Sequence, residues 1–347
     1  MTSPSRVLRL DVLRGLAIFA MLMAHANSLL VGAPRVWGFG VGHLNDLASP
    51  LFALVMGMAA QLVFARDEPW GSWRFLRHQW LRAAIFIGLG VWAATWGSWV
   101  DIVLAYLGLM LIFGAPLALL RTRYLIGVGV LLTIAGPLIN QWARSAVTIE
   151  WYSQHWLVQD LTKWAALGHN YRLTNLLPFF ILGLLLQRAP LKDWVTNSWR
   201  NSSWLFLVAL ASYAVEPIMV RVLGWADPVS GSYPDMARDL ALVLFAYLGA
   251  VVLENWANRP VVRTGLIDLL ADLGQVALSI YLLHVWIISL AADWGWRGGP
   301  SPHLAGWLLL VPGMVLVGVC WRRLAGPGPV EWLMGVVLRG RISYKRH

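Results

Sequence analysis

Apolar residues along this 347-residue chain fall in long runs separated by polar, Pro-rich or Gly-rich breaks. A bilayer core about 30 Å thick needs roughly 20 mostly apolar residues per helix. By that measure ten spans can be drawn, at residues 11–31, 44–65, 80–98, 100–120, 123–141, 173–188, 201–223, 236–256, 267–292 and 303–321. The third, fourth and fifth are closely spaced. The sixth is short enough to be tilted or to begin inside the loop before it. The pattern predicts an all-α, polytopic integral membrane protein of about ten transmembrane helices, arranged as one domain over residues 1–347.

Composition agrees. Residues of the set AVILMFWYC make up 59% of the chain and charged residues only 13%, against roughly 25% charged in soluble domains. A soluble enzyme and a disordered chain are both excluded. The net charge of +10 comes from 27 Lys and Arg against 17 Asp and Glu. In a soluble protein this would point to nucleic acid, but in a membrane protein its distribution reads topology. With the N-terminus inside, the inner segments hold 20 basic residues, among them Arg9, Arg14, Arg74, Arg77, Arg82, Arg121, Arg123 and Arg188. The outer segments hold 7: Arg35, Arg144, Lys163, Arg172, Arg221, Arg238 and Arg297. This split predicts an even number of spans with both termini cytoplasmic, in a bacterial inner or plasma membrane, with the lipid bilayer and no nucleic acid as partner. The first span lacks the small-residue cleavage site of a signal peptide. The single cysteine, Cys320, excludes an internal disulfide.

Many of the 22 Trp residues sit at predicted span ends, including Trp37, Trp80, Trp99, Trp142, Trp307 and Trp332, where interfacial anchoring explains them. The longest outer segment, residues 142–172, reads equally as a functional loop or as an amphipathic helix in the interface.

Ionisable groups inside spans are costly and are candidates for function. The first span places Asp11 and Arg14 at its cytoplasmic end and His25 three turns further out. Eleven helical residues return almost to the starting angle, so Arg14 and His25 share a face about 16 Å apart. A topology-setting pair and a packing histidine explain the same residues. The ninth span holds Gln275, Ser279, Tyr281 and His284, and Tyr281 and His284 can share a face. Helix-to-helix hydrogen bonding accounts for Gln275 and Ser279. Asp46, Asp101 and Glu216 stand at outer helix ends, as wet caps or as parts of an acidic vestibule. With 9 acids against 7 bases, the outer field suits neutral or cationic acceptors. No phosphate-binding loop, CxxC, HExxH or GxSxG is present, and no metal site is expected.

The opening RVLRLDVLRGLAIFAMLMAH resembles the start of the superfamily of multispanning membrane acyltransferases, which includes the acyltransferase-3 group, the heparan glucosaminide N-acetyltransferase group and the YeiB-like family, domain of unknown function 418. DIVLAYLGLMLIF from Asp101, LPFFILGLLLQR from Leu177, LGQVALSIYLLH from Leu273 and GPGPVEW from Gly326 resemble the YeiB-like group. In the acyltransferase-3 group an Arg followed after ten residues by a catalytic His is a hallmark, and Arg14 and His25 match that spacing. The YeiB-like group more usually has Asn near this His. The segment from His43 resembles the second span of the glucosaminide group, but its His lies too close to Asp46 for that group's catalytic role.

The resemblance implies transfer of an acyl group, acetyl foremost, from cytoplasmic acyl-CoA to a hydroxyl or amine of an envelope glycan or lipid. On this expectation His25 is the general base and Arg9, Arg14, Arg77 and Arg82 hold the CoA phosphates. Tyr281 or His284 orients the acceptor or stabilises the oxyanion, and Asp46 or Asp101 binds acceptor hydroxyls. A transporter or flippase would also use intramembrane His and Arg, and a sensor without chemistry is a third alternative. The two halves of the chain show no convincing repeat of the kind many transporters carry.

Overall fold

The computed structural model describes residues 8–67, 71–196, 198–224, 229–257, 265–297 and 301–339. The described residues contain helices and no strand. Helix α1 (Leu8–Ala26) ends in a 3-10 turn, Asn27–Leu29, and is followed by α2 (Arg35–Asp67) and α3 (Ser72–Ala94). Then come α4 (Leu104–Leu117), α5 (Thr122–Ser145), the short α6 (Ile149–Tyr152) and α7 (Trp156–Thr162). Helices α8 (Leu173–Gln187), α9 (Ala189–Thr196), α10 (Trp199–Pro217) and α11 (Tyr233–Ala257) continue the chain. It closes with α12 (Gly265–Gln275), α13 (Ala277–Asp293), α14 (Leu304–Leu308), α15 (Met314–Leu324) and α16 (Pro329–Arg339).

All ten apolar runs fall on helices. Among the described residues six helical stretches are long and apolar enough to cross a bilayer, and α12 with α13 makes a seventh candidate, bent by 76°. Helices α4 and α8 have 14 and 15 residues, about 21 and 22 Å at 1.5 Å per residue, which is short of a bilayer core. Helix α3 has 23 residues but carries Arg74, Arg77 and Arg82 in its first half. The chain is an all-helical, multi-pass membrane protein. Both termini, and with them Arg6, Arg259, Arg263, Arg341, Lys345 and Arg346 of the charge count, lie outside the described residues. The 142–172 segment is helical for much of its length, through the end of α5, α6, α7 and a π turn at Lys163–Leu167.

The helices cluster into two compact units. The first takes the described residues of Met1–Ala48, Val91–Ile102 and Gly249–His347, and the second those of Ser49–Gly90 and Val103–Leu248.

In the first unit α1 and α12 cross at close range because each offers a glycine to the other's backbone. A Cβ on Gly15 would collide with the Leu270 carbonyl, and one on Gly274 with the Asp11 carbonyl. In lipid, where no hydrophobic force separates helix from solvent, such close approach is what packing has to offer. Beyond Gly274 the helix breaks at Val276 and restarts as α13. A break inside an apolar stretch leaves backbone N–H groups that water would otherwise satisfy. Glu331 of α16 satisfies them: its carboxylate accepts from the Leu278 N–H at 2.7 Å and the Ser279 N–H at 3.2 Å, and also from the Ser279 hydroxyl. The Ser279 oxygen in turn accepts from the Val330 N–H at 3.1 Å. On the α12 side of the break, Arg322 donates to the Gln275 side chain.

In the second unit α2 and α8 repeat the same device, with Gly57 against the Phe180 carbonyl and Gly183 against the Leu54 carbonyl. Arg188, just past α8, ties three elements together through Gln61 Oε1 at 3.2 Å, Thr122 Oγ1 at 2.9 Å and the carbonyls of Ala118 and Leu120.

Candidate active site

Two histidines that lie 259 positions apart meet inside the first unit. His25 Nδ1 and His284 Nε2 are 3.0 Å apart, with the rings stacked at 5.2 Å between centroids and 18° between planes. His25 sits in the last turn of α1 and is half-buried, whereas His284, midway along α13, is 1% exposed. Tyr281, one turn before His284, is also buried and meets its ring edge-on at 5.3 Å. The expectation that Tyr281 and His284 share a face is met, and the face they share is the one turned to His25.

A contact of this length needs a proton on one of the two nitrogens and a lone pair on the other. His284 Nδ1 is buried and makes no hydrogen bond among the described residues. With the proton of His284 on Nδ1, its Nε2 is the acceptor, His25 Nδ1–H is the donor, and the lone pair of His25 lies on Nε2, away from His284.

The end of α1 that holds His25 is braced by tryptophans. Trp99 Nε1 donates to the His25 carbonyl at 3.4 Å, and Trp37 Nε1 to Asn27 Oδ1 at 3.2 Å. Trp37 also packs edge-on against Trp307 at 5.7 Å. The His303 N–H donates to the Leu29 carbonyl at 2.7 Å, and its ring stacks on Trp296. Interfacial anchoring, the sequence reading of these tryptophans, fits Trp142 and Trp332, which are 70% and 58% exposed. For Trp37 and Trp99 the indole N–H has a specific partner around the histidine pair.

Other expected site residues stand elsewhere. Arg14 lies toward the far end of α1, about 16 Å from His25 along the axis, with Asp11 Oδ1 3.4 Å from its guanidinium. Arg9 is buried and held by Glu254 through Nε at 2.8 Å and Nη2 at 2.5 Å. That carboxylate already occupies the donor face a phosphate would need. Asp101 is exposed two residues beyond Trp99, and Asp46 is half-buried on α2 beside Asn45. Arg77 and Arg82 are on α3 in the second unit, the first exposed, the second half-buried and bonded to Gln79 Oε1 at 3.2 Å.

Sequence reasoning missed two carboxylates that matter here. Glu254 lies near the end of an apolar run, and nothing local marks its partner Arg9, 245 positions away. Glu331 stood inside the GPGPVEW segment without a role, although an acid just after two Gly-Pro pairs is where a capping side chain would be sought.

No curated protein matches the sequence. The model of the acyltransferase-3 family, described as "Acyltransferase domain", matches residues 7–322, which include α1 with Arg14 and His25 and all of α13 with His284. The chain therefore belongs to the acyltransferase-3 family of membrane acyltransferases.

Proposed function

We propose that the protein moves an acyl group, acetyl foremost, from acyl-CoA to a hydroxyl or amine of an envelope glycan or lipid, with His25 as general base. The observation that carries this reading is the His25–His284 hydrogen bond in the interior of the first unit. On this reading His25 Nδ1–H donates to His284 Nε2, which leaves the unshared pair of His25 on Nε2. In the reaction the acceptor oxygen or nitrogen attacks the thioester carbonyl and His25 Nε2 takes its proton. The carbon–sulfur bond then breaks, CoA leaves as the thiolate, and the imidazolium proton returns to sulfur. General-base help of this kind is typically worth about 10²–10⁴ in rate.

His284 acts through His25 and is a positioning residue. Among the first-unit cations expected to meet the CoA phosphates, Arg14, whose side chain is partly exposed, is better suited than the buried Arg9, whose guanidinium is engaged by Glu254. Asp46 and Asp101 remain candidates for acceptor hydroxyls, and Tyr281 for orienting the pair.

The test is acetyl-CoA binding to purified protein by calorimetry, run beside transfer of labelled acetyl from acetyl-CoA into membranes of the expressing cells. Wild-type protein should bind and transfer. His25→Ala should bind acetyl-CoA yet lose transfer by a factor of about 10²–10⁴. Undiminished transfer by His25→Ala would reject the base, and absence of acetyl-CoA binding by the wild type would reject the donor.

A further inference from the structure

Helix α5, in the second unit, carries a polar cavity at one end and an apolar groove along its middle. The cavity, about 360 Å³, is lined by Gln141, Arg144, Gly231, Ser232 and Tyr233 among others. The groove, about 280 Å³, runs between α5, α8 and α11 past Gly129, Thr133, Ile134, Phe179, Leu182 and Leu240. One hydrogen bond joins the two linings, from the Tyr233 hydroxyl to the Ile134 carbonyl at 2.7 Å.

Positive charge gathers at the cavity. Arg144 Nη2 and Arg172 Nη1 both donate to the Ser230 carbonyl, each at 2.7 Å. Arg172 is 2% exposed, and its Nη2 donates to the His169 carbonyl at 2.8 Å. Burial and the nearby Arg144 lower the Arg172 guanidinium to about 10, so it still carries its charge at neutral pH. Asp235 offsets part of this field, but its carboxylate also accepts from the Gly231 N–H at 2.7 Å and from Arg238 at 3.0 Å. Arg238 is shared with Glu216 at 2.9 Å. Among these five charged groups one positive charge is left over, and Asp239, one turn beyond Asp235 on α11, is the next carboxylate along that helix. Ser232 Oγ, on the cavity lining, is buried without a hydrogen-bond partner among the described residues.

The layout suits a lipid. From Ile126 to Ile134 the groove follows α5 for about 12 Å, and the cavity lining takes over from Pro137 to Arg144. Trp142, 70% exposed, marks the cavity end as the interfacial one. We propose that groove and cavity together bind one phosphate-headgroup lipid, an acyl chain lying against Gly129, Thr133 and Phe179 and the phosphate meeting Arg144 and Ser232 Oγ. A guanidinium pairs with two phosphate oxygens at once, and basic pockets between membrane helices are known to take such headgroups. This site is independent of the histidine pair, and no reading of the reaction depends on it.

The sequence reading, which summed the outer charges to a slight acidic excess, is refined by this arrangement. Arg144 and Arg172 are two of the seven bases assigned outside, and folding brings both to one carbonyl.

The experiment is native mass spectrometry of purified protein offered equal amounts of phosphatidylglycerol and phosphatidylcholine with identical chains. Wild type should retain phosphatidylglycerol about tenfold better, as expected for one or two arginines at a headgroup. Arg144→Gln should reduce that preference to a few-fold, and Arg144→Lys, which keeps the charge but loses the two-oxygen contact, should fall between the two. Thr133→Trp, which fills the groove from an exposed position, should lower retention of both lipids with unchanged thermal unfolding. Glycerol phosphate, which has the headgroup and no chain, should displace the lipid only at more than about a hundredfold excess, since it forgoes the apolar contact. Equal retention of the two lipids, an unchanged preference in Arg144→Gln, full retention in Thr133→Trp, or displacement by equimolar glycerol phosphate would each overturn the proposal, the last in favour of a soluble phosphate ester.

Discussion

Replacing His284 by Phe isolates what the histidine pair contributes. The change keeps a ring in a site that is 1% exposed and deletes the nitrogen facing His25 Nδ1. One neutral hydrogen bond contributes about 0.5–1.5 kcal/mol net, a factor of roughly 2–13. If His25 is the base, losing the bias between its tautomers adds to this, because the proposed proton transfer uses the form with the lone pair on Nε2. We expect the turnover number of His284→Phe to fall about tenfold, with the acetyl-CoA KM unchanged because the donor gains or loses no contact. His284→Gln should recover part of the loss, since its amide oxygen can accept from His25 Nδ1–H. In the His25→Ala background the Phe change should do nothing further, because residues acting as one unit are not additive. The assay is initial-rate transfer of labelled acetyl into membranes at saturating acetyl-CoA, with protein amounts matched by size-exclusion fluorescence. Multiplied losses in the double variant, or a wild-type turnover number in His284→Phe, would refute the idea that His284 works through His25.

Three further outcomes follow from the same contacts. Glu331→Ala removes the acceptor of two backbone N–H groups at the start of α13, which should destabilise the protein by about 2 kcal/mol and lower its unfolding temperature in detergent; Glu331→Gln keeps an oxygen there and should lose about half as much, and an unmoved transition in Glu331→Ala would refute the cap. Gly274→Leu drives a side chain into the Asp11 carbonyl and should cost about 3 kcal/mol or prevent folding, while Gly249→Ala, with nothing within 4 Å of the added carbon, should be harmless; equal stability of the two variants would contradict the close crossing. Arg9→Gln strands the Glu254 carboxylate, the pair being 6% and 21% exposed, and should destabilise by about 3 kcal/mol, with Arg9→Gln/Glu254→Gln recovering most of it; a large rise in acetyl-CoA KM shared by the single and the double variant would instead show Arg9 holding the donor.

Much of the fold was legible because lipid imposes a simple rule. Every apolar run read from the sequence falls on helix, although the run at 267–292 covers two helices, since a backbone in hydrocarbon has few other ways to pair its polar groups. Helix length was less legible. The apolar run at 100–120 extends beyond both ends of α4, because hydropathy does not register where a helix stops, whereas the run at 173–188 matches α8 to within one residue. For the site, the stripe from Arg14 to His25 was visible as a period within one helix, and His284 stood out as an ionisable group in an apolar run. That the two imidazoles touch was not visible, because nothing local relates positions 259 apart. The same holds for Arg9 with Glu254 and for Arg144 with Arg172, whose meanings reside in partners from distant segments.

The break at Val276 links the capping acid to the histidine pair. An unbroken helix from Gly265 to Asp293 would be 29 residues long, about 43 Å, and its two parts would share one axis. With α12 pinned to α1 through Gly15 and Gly274, a straight continuation would send His284 along the line set by that crossing. The 76° bend redirects α13 so that His284 reaches His25 at the other end of α1. Such a bend survives in an apolar setting only if the N–H groups it exposes are paired, and Glu331 pairs two of them. A carboxylate at that helix start also meets the positive end of the α13 dipole. Glu331 therefore bears on the histidine pair only through geometry: if it fails as a cap, the distance between the two imidazoles should change before either imidazole does.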